Sequence, residues 1–171
     1  MISQPMTDAL NDQINKELYS AYLYLSMAAY AEDSGLSGTA NWLSIQAKEE
    51  MTHAEKFYRY INSQGARVVL AAIDAPPKDF ESPQSVFQQV LEHEQKVTAS
   101  INNLVNIAAD EKDHATEIFL QWFVSEQVEE EESANEILSR FKLAGGVGGG
   151  LFMIDKELAG RQFTPPAAEE E

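Results

Sequence analysis

The feature that most restricts the fold of this chain is its punctuation: 9 glycines and 6 prolines fall in a few places and leave long stretches unbroken. From about Thr7 to Asp33 there is neither, and DSGLSG ends that run. A second run goes from about Ser37 to Gln64 and stops at Gly65, with Gly38 inside its first turn. Ser82 with Pro83 behind it reads as an N-cap and helix-start proline, opening a third run to about Asp110. Asp113 or a neighbour caps a fourth, which reaches about Leu143 before AGGVGGG. A short fifth helix, about Leu151 to Ala159, precedes TPPAAEEE, a fraying tail.

Each long run would make roughly 40–45 Å of helix at about 1.5 Å per residue, and equal lengths favour a four-helix bundle. The first and third links are a few residues long, so those neighbours must form antiparallel hairpins. The second, GARVVLAAIDAPPKDFES, has 18 residues, enough at about 3.3 Å each to span a helix. The expected fold is all-α: a four-helix bundle with a long crossover between helices 2 and 3 and a short fifth C-terminal helix. Within the crossover, VVLAAI either runs extended along the bundle or pairs with another copy. Residues 1–163 form one domain in this reading, and 164–171 a flexible acidic C-terminal tail.

Reading the helices at 3–4 spacing exposes an oddity. The stripes are Leu10, Ile14, Glu17, Ala21, Tyr24, Ala28; Leu43, Ala47, Glu50, Ala54, Phe57, Ile61; Phe87, Val90, Leu91, Glu94, Val97, Ile101, Leu104; and Phe119, Phe123, Glu126, Glu130, Ala134, Ile137, Phe141. Each is apolar except for glutamate near its middle. One such residue is a tolerated polar core position; four in register would meet at one level of the bundle. Ionised carboxylates cannot stay unpaired in a low-dielectric interior, and the basic residues are too few and wrongly placed to neutralise them. A multivalent cation is the economical answer. His53, three residues after Glu50, shares its helix face, and oxygen ligands with one imidazole suit iron or manganese and accept zinc.

Composition agrees. With 28 acidic against 12 basic residues the formal charge is −16, which repels nucleic acid and attracts cations. There is no cysteine, hence no thiolate site, and no Cys-rich rubredoxin domain of the rubrerythrin kind. MISQPMTDALNDQINKEL lacks the basic and apolar regions of a signal peptide, and no apolar run approaches membrane-spanning length. The expectation is a soluble cytoplasmic protein without membrane or nucleic-acid partners.

KELYSAYLYLSM, AKEEMTHAEKFYRYI, LEHEQKVT, LQWFVSEQVEEE and GLFMIDKEL, in that order, resemble their counterparts in bacterial non-haem ferritins, within the ferritin-like di-iron superfamily. The resemblance covers nearly the whole chain. It implies a cytoplasmic ferroxidase that oxidises Fe(II) with O2 or H2O2 at an intrasubunit di-iron centre. It also implies storage of Fe(III) mineral inside a hollow homo-oligomeric shell of 24 subunits. By the same resemblance Glu17, Glu50 and His53 hold one iron, with Glu50 bridging, and Glu94 and Glu130 complete the second. Glu49, Glu126 and Glu129, with Glu130, would hold a third, weaker iron. Tyr24 joins the catalytic group, with Gln127 and Trp122 in support beside the ligands. The ferritin-like pattern puts Glu-x-x-His on two helices; here the fourth carries SEQVEEEE with no histidine, so one metal position has less nitrogen.

Two alternatives remain. Bacterioferritins bind haem between subunits through a methionine that follows the helix-two glutamate, and Met51 occupies that place, although it equally fits ordinary packing. A non-catalytic helical bundle explains the topology but not the glutamates. Small DNA-protecting relatives put iron between subunits, lack the fifth helix and often carry basic tails, whereas this tail ends EEE. His93 is expected to face solvent, His114 to serve a terminus or subunit contact, and Glu131 and Glu132 to face outwards or towards the cavity. Asp110, Asp113 and Glu117 are either a solvated charge run or, by resemblance, the lining of a threefold iron channel.

Overall fold

The computed structural model describes residues 2–145 and 148–165. Among them the chain forms α1 Gln4–Asp33, α2 Ser37–Ser63, α3 Pro83–Glu111, α4 His114–Ala144 and α5 Gly148–Leu158. The long helices begin where their capping side chains stand. Ser3 accepts from the Met6 N–H at 3.1 Å. Ser82 does more than the expected capping: Ser82 and Ser85 each accept from the other's backbone N–H, at 3.1 and 3.0 Å, closing a capping box. Asp113 caps α4 through the Thr116 N–H at 3.2 Å.

Helix α2 is different, because Leu36 at its N-cap has no side-chain oxygen to offer. Asp155 of α5 supplies one from the far end of the chain. Its carboxylate accepts from Gly38 N at 3.1 Å, Thr39 N at 2.7 Å and the Thr39 hydroxyl at 2.9 Å. An anion there meets unpaired N–H groups and the positive end of the helix dipole. Gly38 permits the approach, since a Cβ at that position would stand 1.7 Å from the Asp155 carbonyl oxygen. Gly150 likewise lets α5 lie against the end of α4, where a Cβ would come within 2.8 Å of the Ala144 Cβ. Half of the glycine run expected as a flexible turn is therefore helical, and α5 begins at Gly148 rather than near Leu151.

The crossover, residues 64–82, contains no strand and takes the extended course. It is tied to α1: Asn11 donates to the Arg67 carbonyl at 3.2 Å and accepts from Val69 N at 2.7 Å. Asn15 donates to the Ala72 carbonyl at 3.0 Å and Ser26 to that of Pro77 at 2.5 Å.

Helix α1 packs along α2 and α3 along α4, while α2 and α4 meet through rings. Phe57 stacks on Phe123 at 4.0 Å and Tyr60 on Phe119 at 3.8 Å. The apolar interior comes in two pieces. One holds Tyr24, Met27, Leu43, Phe87 and Phe141 with Ile154 and Leu158 of α5; the other holds Leu10, Ile14, Phe57, Ile61, Ile101 and Phe123. Most of the buried polar residues of the four long helices sit between them: Gln13, Glu17, Ser20, Gln46, Glu50, His53, Glu94, Gln127 and Glu130.

The seating of α5 is testable by hydrogen exchange. Asp155→Ala should cost about 1–2 kcal/mol locally, so amides in the first turn of α2 and in α5 exchange roughly tenfold faster or more. Gly38→Ala should do at least as much, because backbone cannot yield to the new Cβ, and α3 amides should be unaffected. Unchanged protection of α5 in Gly38→Ala would refute this docking.

Candidate metal centre

The four midlevel glutamates reach one layer as expected: Glu17, Glu50 and Glu94 are 1% exposed and Glu130 7%, with His53 at 3%. Glu17, Glu94 and Glu130 are each held by a neighbour from another helix or from their own preceding turn. Gln13 donates to Glu17 Oε1 at 2.8 Å and accepts from the Ser100 hydroxyl at 2.6 Å, which in turn accepts from Lys16 Nζ at 2.8 Å. Glu94 accepts from the Tyr24 hydroxyl on one oxygen and from Gln127 Nε2 on the other, at 3.1 Å. Glu130 Oε2 accepts from Gln46 Nε2. Glu17 Oε2 and Glu50 Oε2, both buried, have no other hydrogen-bond partner among the described residues; only a proton shared between the two carboxyls joins them.

Burial sets the protonation chemistry. It pushes Glu50 well above the usual carboxylate range, and the charges of Glu94, Glu17 and Glu130 push further the same way. Glu130 is also raised well above that range, by burial and then by Glu94 and Glu49, against the opposing Arg161. Burial lifts Glu94 to about 7 despite its bonds from Tyr24 and Gln127, and it raises Glu17 too. The His53 imidazole is driven the other way, down to about 4, by burial and by Lys56. Its Nδ1 lies 3.5 Å from Glu50 Oε2, so near neutral pH that contact joins a neutral ring to a carboxyl and is no ion pair. Burial and the nearby carboxylates hold the Tyr24 phenol protonated.

Two groups of three offer ligand atoms within 4.8 Å of one another: Glu17, Glu50 and His53, and His53, Glu126 and Glu130. His53 is common to both. The donor set, carboxylate oxygens with one imidazole, fits iron, manganese or zinc, and the two oxygens without any other partner are the sign that the layer is incomplete as protein alone. Glu94 belongs to neither group; Tyr24 and Gln127 each occupy one lone pair on its oxygens and leave others free.

The remaining sequence expectations distribute unevenly. Glu126 is half-buried, and Gln127 rather than Glu126 occupies the inward position, so the fourth stripe runs Leu120, Phe123, Gln127, Glu130, Ala134. Glu129 is exposed. Glu49 is half-buried and bound to Arg161 at 2.5 Å. Trp122 stands edge-to-face against His53 with ring centres 5.4 Å apart. Met51 is 51% exposed, so it does not pack within this subunit.

His93 does not face solvent. Its Nε2 lies 2.7 Å from the Ser20 hydroxyl, and its ring contacts Tyr19 and Tyr24. Glu131 turns back to the Thr98 hydroxyl at 2.5 Å, while His114 is exposed beside Glu117 at 2.8 Å. Sequence reading missed Gln13, Gln46, Ser100 and Arg161. The first two stand one helical turn before Glu17 and Glu50 and were legible as buried polar positions; Arg161 lies beyond any periodic element.

A family model described as the ferritin-like domain matches residues 7–144. A probable bacterial non-heme ferritin-like protein of Haemophilus influenzae is 44% identical over 92% of this chain and 96% of its own length. A bacterial non-heme ferritin of Staphylococcus aureus is 42% identical over 95% of this chain and 98% of its own. An engineered closed form of Archaeoglobus fulgidus ferritin superposes with a TM-score of 0.95 at 50% identity, covering 96% of this chain and all of that one. The open-pore ferritin of the same archaeon gives 0.94 at 49% identity. A cation-ready glutamate layer between two apolar clusters, on a bundle that these proteins share nearly end to end, places this chain in the ferritin family.

Proposed function

We propose that this protein stores and detoxifies iron: it binds Fe(II) as substrate, oxidises it with O2 or H2O2, and deposits Fe(III) as mineral inside a hollow cytoplasmic shell of 24 copies. The observation that carries this reading is the pair of buried oxygens on Glu17 and Glu50 without any other partner, which a bound cation would satisfy. Glu17, Glu50 and His53 hold the first iron with Glu50 bridging, and Glu94 and Glu130 the second. Glu49, Glu126, Glu129 and Glu130 take a third, weaker iron on its way out. Two Fe(II) ions side by side can pass two electrons to one oxidant.

The chain's other residues orient and support. Tyr24 and Gln127 fix the plane of Glu94, and Gln13 and Gln46 fix Glu17 and Glu130. Tyr24 and Trp122, both against ligands, are placed to lend electrons. Assembly is supported by apolar side chains left exposed on α1, α2, the crossover and α5, among them Leu25, Tyr58, Leu70 and Phe152. No described helix is long and apolar enough to cross a membrane. The single-domain reading of 1–163 belongs to the same proposal; of the expected tail, residues 166–171 lie outside the described residues. The exposed Met51 keeps one rival concrete: a Soret band in protein from haem-replete cells would mark a haem-binding store, and none is expected.

Glu50→Ala should slow Fe(II) oxidation more than about 100-fold, beyond the roughly 10–100-fold typical of losing a ligand's outer partner, while size-exclusion shows the shell intact. Unchanged oxidation kinetics would sink the assignment. Cation binding should also depend on pH. Below about 7 Glu94 keeps a proton that the cation must displace, whereas His53, with its pKa near 4, is already neutral. Zn(II) affinity in metal-free protein should therefore rise between pH 6 and 8, by up to about tenfold per pH unit for each proton displaced. A flat profile there would contradict the protonated layer.

A further inference from the structure

The segment that leaves α5 returns along α2 to the glutamate layer. Asn41 Nδ2 holds it by three carbonyls, those of Leu158, Ala159 and Arg161, at 3.3, 3.5 and 3.1 Å. Arg161 then lies over the Trp42 ring, 4.5 Å from its centre. One guanidinium nitrogen donates to Gln46 Oε1 at 2.6 Å and the other to Glu49 Oε2 at 2.5 Å. Gln46 passes the contact on, donating to Glu130. Asn41, Trp42, Gln46 and Glu49 follow one face of α2 from its second turn down to the metal layer.

This is not a surface ion pair. The side chains of Arg161 and Glu49 are 24% and 21% exposed, and the planar fork serves two different acceptors from two separate nitrogens. It is also a positive charge set beside the carboxylates that would receive a third cation.

We infer that Arg161 is a positioning residue and built-in competitor for the outer carboxylates: its guanidinium holds Glu49 and, through Gln46, aims Glu130, so a cation binds there only by displacing it. This rests on the proposed role of Glu49, Glu126, Glu129 and Glu130 in receiving iron. Competition of this kind keeps the outer set weak without touching Glu17, Glu50 and His53, so that it passes ions on and does not retain them.

The test is anaerobic titration of the assembled protein with Co(II), followed by calorimetry and by the visible ligand-field bands of the bound ion. In Arg161→Gln the outer cation should bind about tenfold tighter or more, the worth of one charge-assisted contact, with the bands of the ion at Glu17, Glu50 and His53 unchanged. Arg161→Lys keeps the charge without the fork and should fall between. Asn41→Ala, which unties the strap without touching a ligand, should shift the outer affinity the same way. Combined with Glu49→Gln, Arg161→Gln should lose most of its effect.

Identical outer affinity in wild type and Arg161→Gln overturns the inference, as does an equal loss at Glu17, Glu50 and His53, which would mark Arg161 as merely structural. Wild-type protein that binds no Co(II) at Glu17, Glu50 and His53 would instead overturn the functional reading on which this one stands.

Discussion

The interaction on which the rest depends is repulsion between carboxylates that the bundle forces together. Glu17, Glu50, Glu94 and Glu130 are buried at one level, where an isolated ionised carboxylate is prohibitively costly. The metal-free chain meets that cost by protonation: burial displaces their pKa values upwards. A bound divalent cation removes it by opposite charge. Two apolar clusters, one at each side of the layer, supply the cohesion that holds the acids in place. The bundle is thus stable because of its ends and reactive because of its middle.

Around that layer, neutral side chains do the aiming. Gln13, Gln46, Gln127 and Tyr24 each spend a donor on a carboxylate. Amides and a phenol keep that role at any pH at which the protein is folded, whereas a lysine or arginine in direct contact would compete with the substrate cation. The cationic partners of the four central glutamates stand one step back. Lys16 reaches Glu17 only through Ser100 and Gln13, and Arg161 reaches Glu130 only through Gln46.

The four long helices and the level of the acids were legible in the sequence because both follow from periodicity and from sparse Gly and Pro. The crossover's length was enough to give the topology, but not its course, which depends on Asn11, Asn15 and Ser26 finding its carbonyls. Helical phase was legible to within one residue: on α4, Glu126 looked inward until the structure placed Gln127 there. His93 escaped because one step off an apolar stripe still lies within reach of Ser20 when α1 and α3 approach closely. Arg161 left no signal at all. Its role comes from the turn after α5, whose direction is fixed by the Gly38–Asp155 contact, an association of residues more than a hundred positions apart.

That contact bears on how the chain is made. A helix normally carries its own N-terminal cap, so a hairpin can close as soon as its residues leave the ribosome. Here α2 lacks one at Leu36 and borrows the carboxylate of Asp155, synthesised more than a hundred residues later. During translation the first turn of α2 stays frayed while the hairpin with α1 forms behind it, and it sets only when α5 docks. Synthesis of α5 is thereby written into the stability of the first hairpin, so that a product truncated before Asp155 cannot fully consolidate its α2 start.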